Sequence, residues 1–122
     1  MLKYTKGFKS ALDLADHFLK HGSDFGAATA DDYETLADQF LGGPLGSGVH
    51  ECTRVRDQDS LRLSLLDEMF GALTANGMIR TLFKPRLCAS FPANQRAMMR
   101  YAKRCHPYAT NLVYFQSECA KR

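Results

Sequence analysis

The chain has 122 residues, of which 45% are hydrophobic, enough for one domain and one hydrophobic core but not two. The formal charge of +3 is too mild to name a nucleic acid or a membrane as partner, and no apolar run reaches the ~18–20 residues of a spanning helix. Aromatic and aliphatic residues recur along the whole length, which excludes intrinsic disorder.

The start, MLKYTKGFKS, has the lysines of a secretory leader without an apolar stretch behind them, so no leader is read there. Residues 7–21 follow as an amphipathic helix. Phe8, Ala11, Leu12, Ala15 and Leu19 recur at helical spacing and set the face expected to meet the core. His17 and His21, about 40° apart at 100° per residue, fall on the side opposite that stripe, and Gly22 stops the helix. A second helix opens with Thr29 and Asp32 in the arrangement of a capping box, and Tyr33, Leu36, Ala37, Phe40 and Leu41 form its apolar face. Residues 1–41 are thus a helical front, which GGPLGSG at 42–48 ends as a glycine-rich loop.

From Val49 the period shifts towards two. VHECTRVR, SLRLSLL, FGAL and MIRTLFK read as four strands within residues 49–85, with turns at Asp57–Ser60 and at Asn76-Gly77, the dipeptide best suited to a type I′ hairpin. Short turns between consecutive strands predict an antiparallel meander. In the last strand, alternation puts Arg80, Leu82 and Lys84 on one face and Ile79, Thr81 and Phe83 on the other. Pro85 closes the sheet. Residues 86–122 form a helical tail, with one helix over Ala93–Cys105, a break at Pro107 and a second helix over Thr110–Cys119. The expected fold is α+β, a single domain with N-terminal helices packed on a four-stranded antiparallel sheet.

Charge is unevenly distributed. Residues 1–48 carry a net −3 and residues 49–122 a net +6, and no acidic residue lies between Glu68 and Glu118. That stretch holds Arg80, Lys84, Arg86, Arg96, Arg100, Lys103 and Arg104, either a solvated face or a surface for a polyanion. The cysteines, Cys52, Cys88, Cys105 and Cys119, show no metal-type spacing. Their even number permits two disulfides, but free, buried thiols are expected.

Two histidines at i, i+4 allow three readings: a metal site, ordinary surface or capping residues, or an acid/base pair. No third ligand accompanies them, so no metal is expected, nor any cofactor. Imidazoles titrate near pH ~6.5 and suit proton transfer in phosphodiester cleavage, where a ribose 2′-OH attacks phosphorus and cations steady the charge. Thr81 offers a donor to phosphate, and Arg54 and Arg62 either contact phosphate or are solvated cross-strand residues. Tyr114 and Phe115 are core residues or base-stacking platforms. His106, beside Pro107, reads as structural or exposed, and His50 is undistinguished.

The segment Lys20-His21-Gly22-Ser23-Asp24-Phe25-Gly26 resembles the KH-x-x-DFG segment of colicin-D-type transfer-RNA-cleaving toxin domains, within the barnase/EndoU/RelE-like superfamily. Gly77–Phe83 resembles that family's late strand, where a small hydroxyl residue precedes an aromatic by two. The resemblance implies a metal-independent endoribonuclease toxin, acting on tRNA in the bacterial cytoplasm after delivery within a larger secreted protein, and neutralised by an immunity protein. By position it implies His21 and Thr81 as catalytic residues, with Phe83 as the aromatic of that strand. His17 joins His21 as the acid/base partner, Arg62 or Arg54 joins Thr81 at the transition state, and Lys20, Arg80, Lys84 and Tyr114 join Arg54 in binding RNA. Phe18 stands where the family has a lysine, and Ser64-Leu65-Leu66-Asp67 stands where similar toxins often show an Asp-x-x-Thr-like turn. The other reading is a non-catalytic RNA- or protein-binding module of the same fold.

Overall fold

The computed structural model describes residues 2–122. Helix α1 (Ala11–His21) is capped by Ser10, whose hydroxyl accepts from the Asp13 N–H, and α2 (Ala30–Gly42) by Thr29, which accepts from the Asp32 N–H. Strands β1 (Val49–Thr53), β2 (Ser60–Ser64), β3 (Met69–Leu73) and β4 (Ile79–Phe83) form the expected antiparallel meander in the order β1-β2-β3-β4. The tail holds α3 (Arg96–Tyr101) and α4 (Asn111–Ala120). The α+β class read from the sequence is the class observed.

The sheet is covered on both faces. On one face Phe8, Leu14 of α1 and Tyr33, Ala37 and Leu41 of α2 pack with Met69, Ile79 and Leu82; on the other Phe115 of α4 packs with Leu61, Leu63, Phe70 and Ala72. This explains why Met69-Phe70-Gly71-Ala72 is apolar without alternation: β3 is buried on both sides. At Gly71, Leu41 of α2 comes so close that a Cβ would sit 2.8 Å from its Cδ2, so the helix lies directly on the strand. Tyr33 is the hub of the first core. Its ring meets Phe8, Phe18 and Phe25 within 5.9–6.2 Å, and its hydroxyl donates to the Leu82 carbonyl.

Four expectations need correcting. The first helix presents its other side to the core. Leu12 and Leu19 are 81% and 83% exposed, whereas Leu14 is buried and His17, Phe18 and His21 are half-buried. The segment ALDLADHFLKH carries two apolar stripes, and Leu14 with Phe18 wins because Phe8 and Tyr33 await it. Second, the Asn76-Gly77 turn is not type I′. Thr74 and Met78 close a three-residue loop in which only Gly77 takes a positive φ, +90°. Third, alternation in β4 fails, because the pairing to β3 steps from Thr81 to Ile79 and leaves Arg80 as a bulged extra residue. Leu82 and Ile79 therefore share the α1/α2 core, while Arg80 reaches Asp59 and Phe83 joins the α4 side.

Fourth, the cysteines are not free thiols: Cys52 bridges Cys119 and Cys88 bridges Cys105. Neither partnership is legible from spacing, because each depends on where the tail returns to the sheet. In the tail the predicted helix over 93–105 shrinks to α3, and the 17-residue span from Cys88 to Cys105 is fastened at its base by the disulfide.

Candidate functional site

β4 is an edge strand, and beyond its end a cleft of about 900 Å³ opens between the end of α1 and the returning tail. The KH-x-x-DFG segment builds one wall. Gly22–Phe25 forms a 3-10 turn, Phe25 packs on Tyr33, and Gly26 reverses the chain in the left-handed region at φ +65°. Asp24 pairs with Arg86 at 3.2 Å, and the Lys84 ammonium lies 5.7 Å over the Phe25 ring. His21 ends α1 here, with its ring 5.6 Å from that of Phe83. The tail supplies the other wall, with Arg100 and the run from Ala102 through Tyr108, joined by Tyr114 and Lys121.

Seven Lys and Arg side chains line this cleft against two carboxylates, Asp24 and Glu118. Both carboxylates are already paired, Asp24 with Arg86 and Glu118 with Arg54 and Lys121. The walls therefore present a strong excess of positive charge in a confined space, which concentrates field and attracts polyanions. Among the described residues no group of three or more His, Cys, Asp or Glu is placed to hold a metal ion.

The cleft gathers some of the residues singled out from the sequence and leaves others elsewhere. His21, Lys20, Lys84 and Tyr114 line it. His17 lies one helical turn behind, its ring 6.2 Å from that of His21 and 5.1 Å from Phe8, with Nε2 3.6 Å from Asp13. Thr81 is half-buried opposite Ala72 and is not part of the wall.

The arginines of the sheet have structural partners. Arg62 pairs with Glu51 at 2.6 Å and donates to the carbonyls of Phe40 and Gly43, capping the end of α2. Arg54 donates to Asp57, Asp59 and Glu118, and Arg80 donates to Asp59, so this network ties β4 and the β1–β2 turn to α4. Neither Arg54, Arg62 nor Arg80 lines the cleft. Arg86, Arg100, Lys103, Arg104 and His106 also line the cleft, though no motif marks them in the sequence. The acid-free stretch that contains them was their only signal.

Both histidines of α1 titrate below the ordinary value of 6.5. For His17 burial is the main cause, opposed by Asp13 and Asp16. For His21 burial again comes first, followed by the His17 ring, with Lys20 and Arg104 adding to it and Asp24 opposing. His21 is thus a neutral imidazole at pH 7, able to accept a proton beside a row of cations.

The same shifts link folding to pH. Between the depressed values and pH 6.5 the unfolded chain binds protons that the folded chain refuses, so stability is complete above 6.5 and falls as pH drops through that window. Denaturant unfolding should show this loss as pH is lowered through 6.5, and His17→Gln/His21→Gln should flatten it. Wild-type stability that rises on acidification over this range contradicts the assignment. No protein-family model matches the chain, and no curated protein matches it either.

Proposed function

We propose that the protein is a metal-independent endoribonuclease of toxin type, with the cleft beside β4 as its active site. The observation that carries this reading is the convergence of a neutral, half-buried imidazole, His21, with seven cationic side chains in one cleft. Lys84, Arg86, Arg100, Lys103 and Arg104 hold the RNA backbone. His21 takes the proton of a ribose 2′-OH, the freed oxygen attacks the adjacent phosphorus, and the P–O bond to the 5′-oxygen breaks as that oxygen takes a proton from solvent water. The KH-x-x-DFG resemblance supports the same reading and makes tRNA the first substrate to try.

The two disulfides support a chain that folds in an oxidising compartment, as a secreted toxin does before acting in a recipient cytoplasm. An immunity protein for such a cleft would be acidic, since it must cover the same cations.

One observation favours a non-catalytic RNA-binding module instead. Thr81 and Arg62, both read as catalytic, lie outside the cleft, and His17 stands behind His21. The two readings separate in one experiment. Oxidised protein is incubated with total tRNA in EDTA at low salt. Cleavage supports the enzyme; salt-sensitive binding without product, weakening as salt displaces the cations' hold on phosphate, supports the module. Neither binding nor cleavage rejects both.

A further inference from the structure

His106 is 7% exposed and lies in the tail wall of the cleft. Its backbone is fixed on both sides: its N–H donates to the Arg86 carbonyl and its carbonyl accepts from the Cys88 N–H, each at 2.9 Å. The Cys88–Cys105 disulfide locks the preceding residue. The ring stacks on Tyr114, with centroids 4.6 Å apart and planes 14° from parallel. Nε2 lies 2.8 Å from Oδ1 of Asn111, the first residue of α4. An amide oxygen only accepts, so Nε2 carries a proton, and in the neutral ring Nδ1 is then an acceptor. Among the described residues nothing donates to Nδ1, and an acceptor buried without a partner is costly.

We propose that Nδ1 of His106 contacts the substrate, accepting a hydrogen bond from a ribose 2′-hydroxyl of a bound RNA strand. This rests on the RNA reading of the cleft and assigns a discriminating group within it. The cations of the walls are donors and satisfy phosphate oxygens. Both carboxylates of the cleft are engaged in ion pairs. A phosphodiester has no hydrogen to offer, so a bare acceptor among phosphate-binding cations selects for a donor close to each phosphate. The ribose hydroxyl is that donor, and DNA lacks it. Nδ1 is itself buried, so access by a ribose needs a neighbouring side chain to move; of the two aromatic neighbours of His106, Tyr114 is half-buried and Tyr108 is exposed.

The test compares binding of a short single-stranded RNA and the DNA of the same sequence, in a His21→Ala background that prevents turnover. RNA should bind roughly three- to tenfold more tightly, the worth of one net hydrogen bond. His106→Gln keeps an amide within reach of Asn111 and removes Nδ1, so the RNA preference should vanish while DNA affinity stays. His106→Asn returns a polar atom to the Nδ1 position and should retain part of the preference. Because either variant of a buried residue risks misfolding, the wild-type Nδ1 resonance is followed by 15N NMR as well. It should move on adding RNA and stay still with DNA. An unchanged preference in His106→Gln, or an Nδ1 signal indifferent to RNA, overturns the assignment while leaving the RNA cleft intact. Failure of the parent protein to bind either strand overturns the RNA reading itself, and this assignment with it.

Discussion

His21→Gln should lower the rate of RNA cleavage by about 10²–10⁴-fold, the usual contribution of a general acid or base, with RNA affinity nearly unchanged. Glutamine keeps the volume and polarity of the imidazole where it meets Phe83 at the edge of the sheet, but cannot exchange a proton. The depressed titration of His21 keeps its neutral form dominant at pH 7, so the rate should fall only as pH drops below 6.5. His17→Gln should cost far less, because that ring faces Asp13 and Phe8 and does not line the cleft. Steady-state kinetics with a fixed RNA, alongside direct binding, separates the two effects. Equal rates for His21→Gln and wild type remove His21 from the chemistry.

The second large effect belongs to the Cys52–Cys119 disulfide. It closes a loop of 67 residues, and constraining the unfolded chain to that extent contributes about 4 kcal/mol in the chain-entropy account. Against a total of roughly 5–15 kcal/mol for a domain, that is a large fraction. Cys52→Ala/Cys119→Ala should lower Tm by roughly 15 °C. The bond also holds α4 on the sheet, where Phe115 covers Leu61, Leu63 and Phe70. Loosening it exposes that second core, so increased binding of a hydrophobic dye should accompany the fall in Tm. The Cys88–Cys105 bond closes only 17 residues and should contribute about 3 kcal/mol, but its loss should weaken RNA binding more, because it secures the wall that carries Arg100, Lys103 and Arg104. Thermal unfolding of each double variant, paired with RNA binding, tests both statements. A Tm unmoved by losing Cys52–Cys119 contradicts the first.

Much of the fold was legible because it rests on local signals. Thr29 capped the second helix, glycine-rich 42–48 ended the helical front, and short turns dictated a meander. The first helix, by contrast, begins only at Ala11, after the Ser10 cap, and not at residue 7. What was not legible depended on tertiary competition. The stripe of Leu12, Ala15 and Leu19 and the stripe of Leu14 and Phe18 are both periodic, and only the presence of Phe8 and Tyr33 decides between them. The bulge at Arg80 reset the faces of β4, so alternation misassigned Leu82 and Arg80 alike.

The candidate site divides along the same line. Lys20, His21 and Lys84 were found because a local motif and strand mark them. The partners expected from neighbouring strands, Arg54, Arg62 and Arg80, are instead held by carboxylates, and Arg62 also by the end of α2. Sequence distance from an acid does not decide which cations are neutralised. Arg80 and Arg86 lie in the acid-free stretch, yet the fold brings Asp59 and Asp24 to them, whereas Arg100, Lys103 and Arg104 line the cleft without an ion pair among the described residues. His106 reads from the sequence as structural or exposed, because its burial in the cleft wall depends on a disulfide and on Tyr114, neither of which spacing reveals.

The most direct test of RNA cleavage by 2′-OH attack at this cleft is to identify the ends that the oxidised protein leaves on RNA in EDTA. Mass spectrometry of the products should find 2′,3′-cyclic phosphate and 5′-hydroxyl ends, present with wild type and absent with His21→Gln. Intact RNA, or products with the same ends and yield from both proteins, would contradict it.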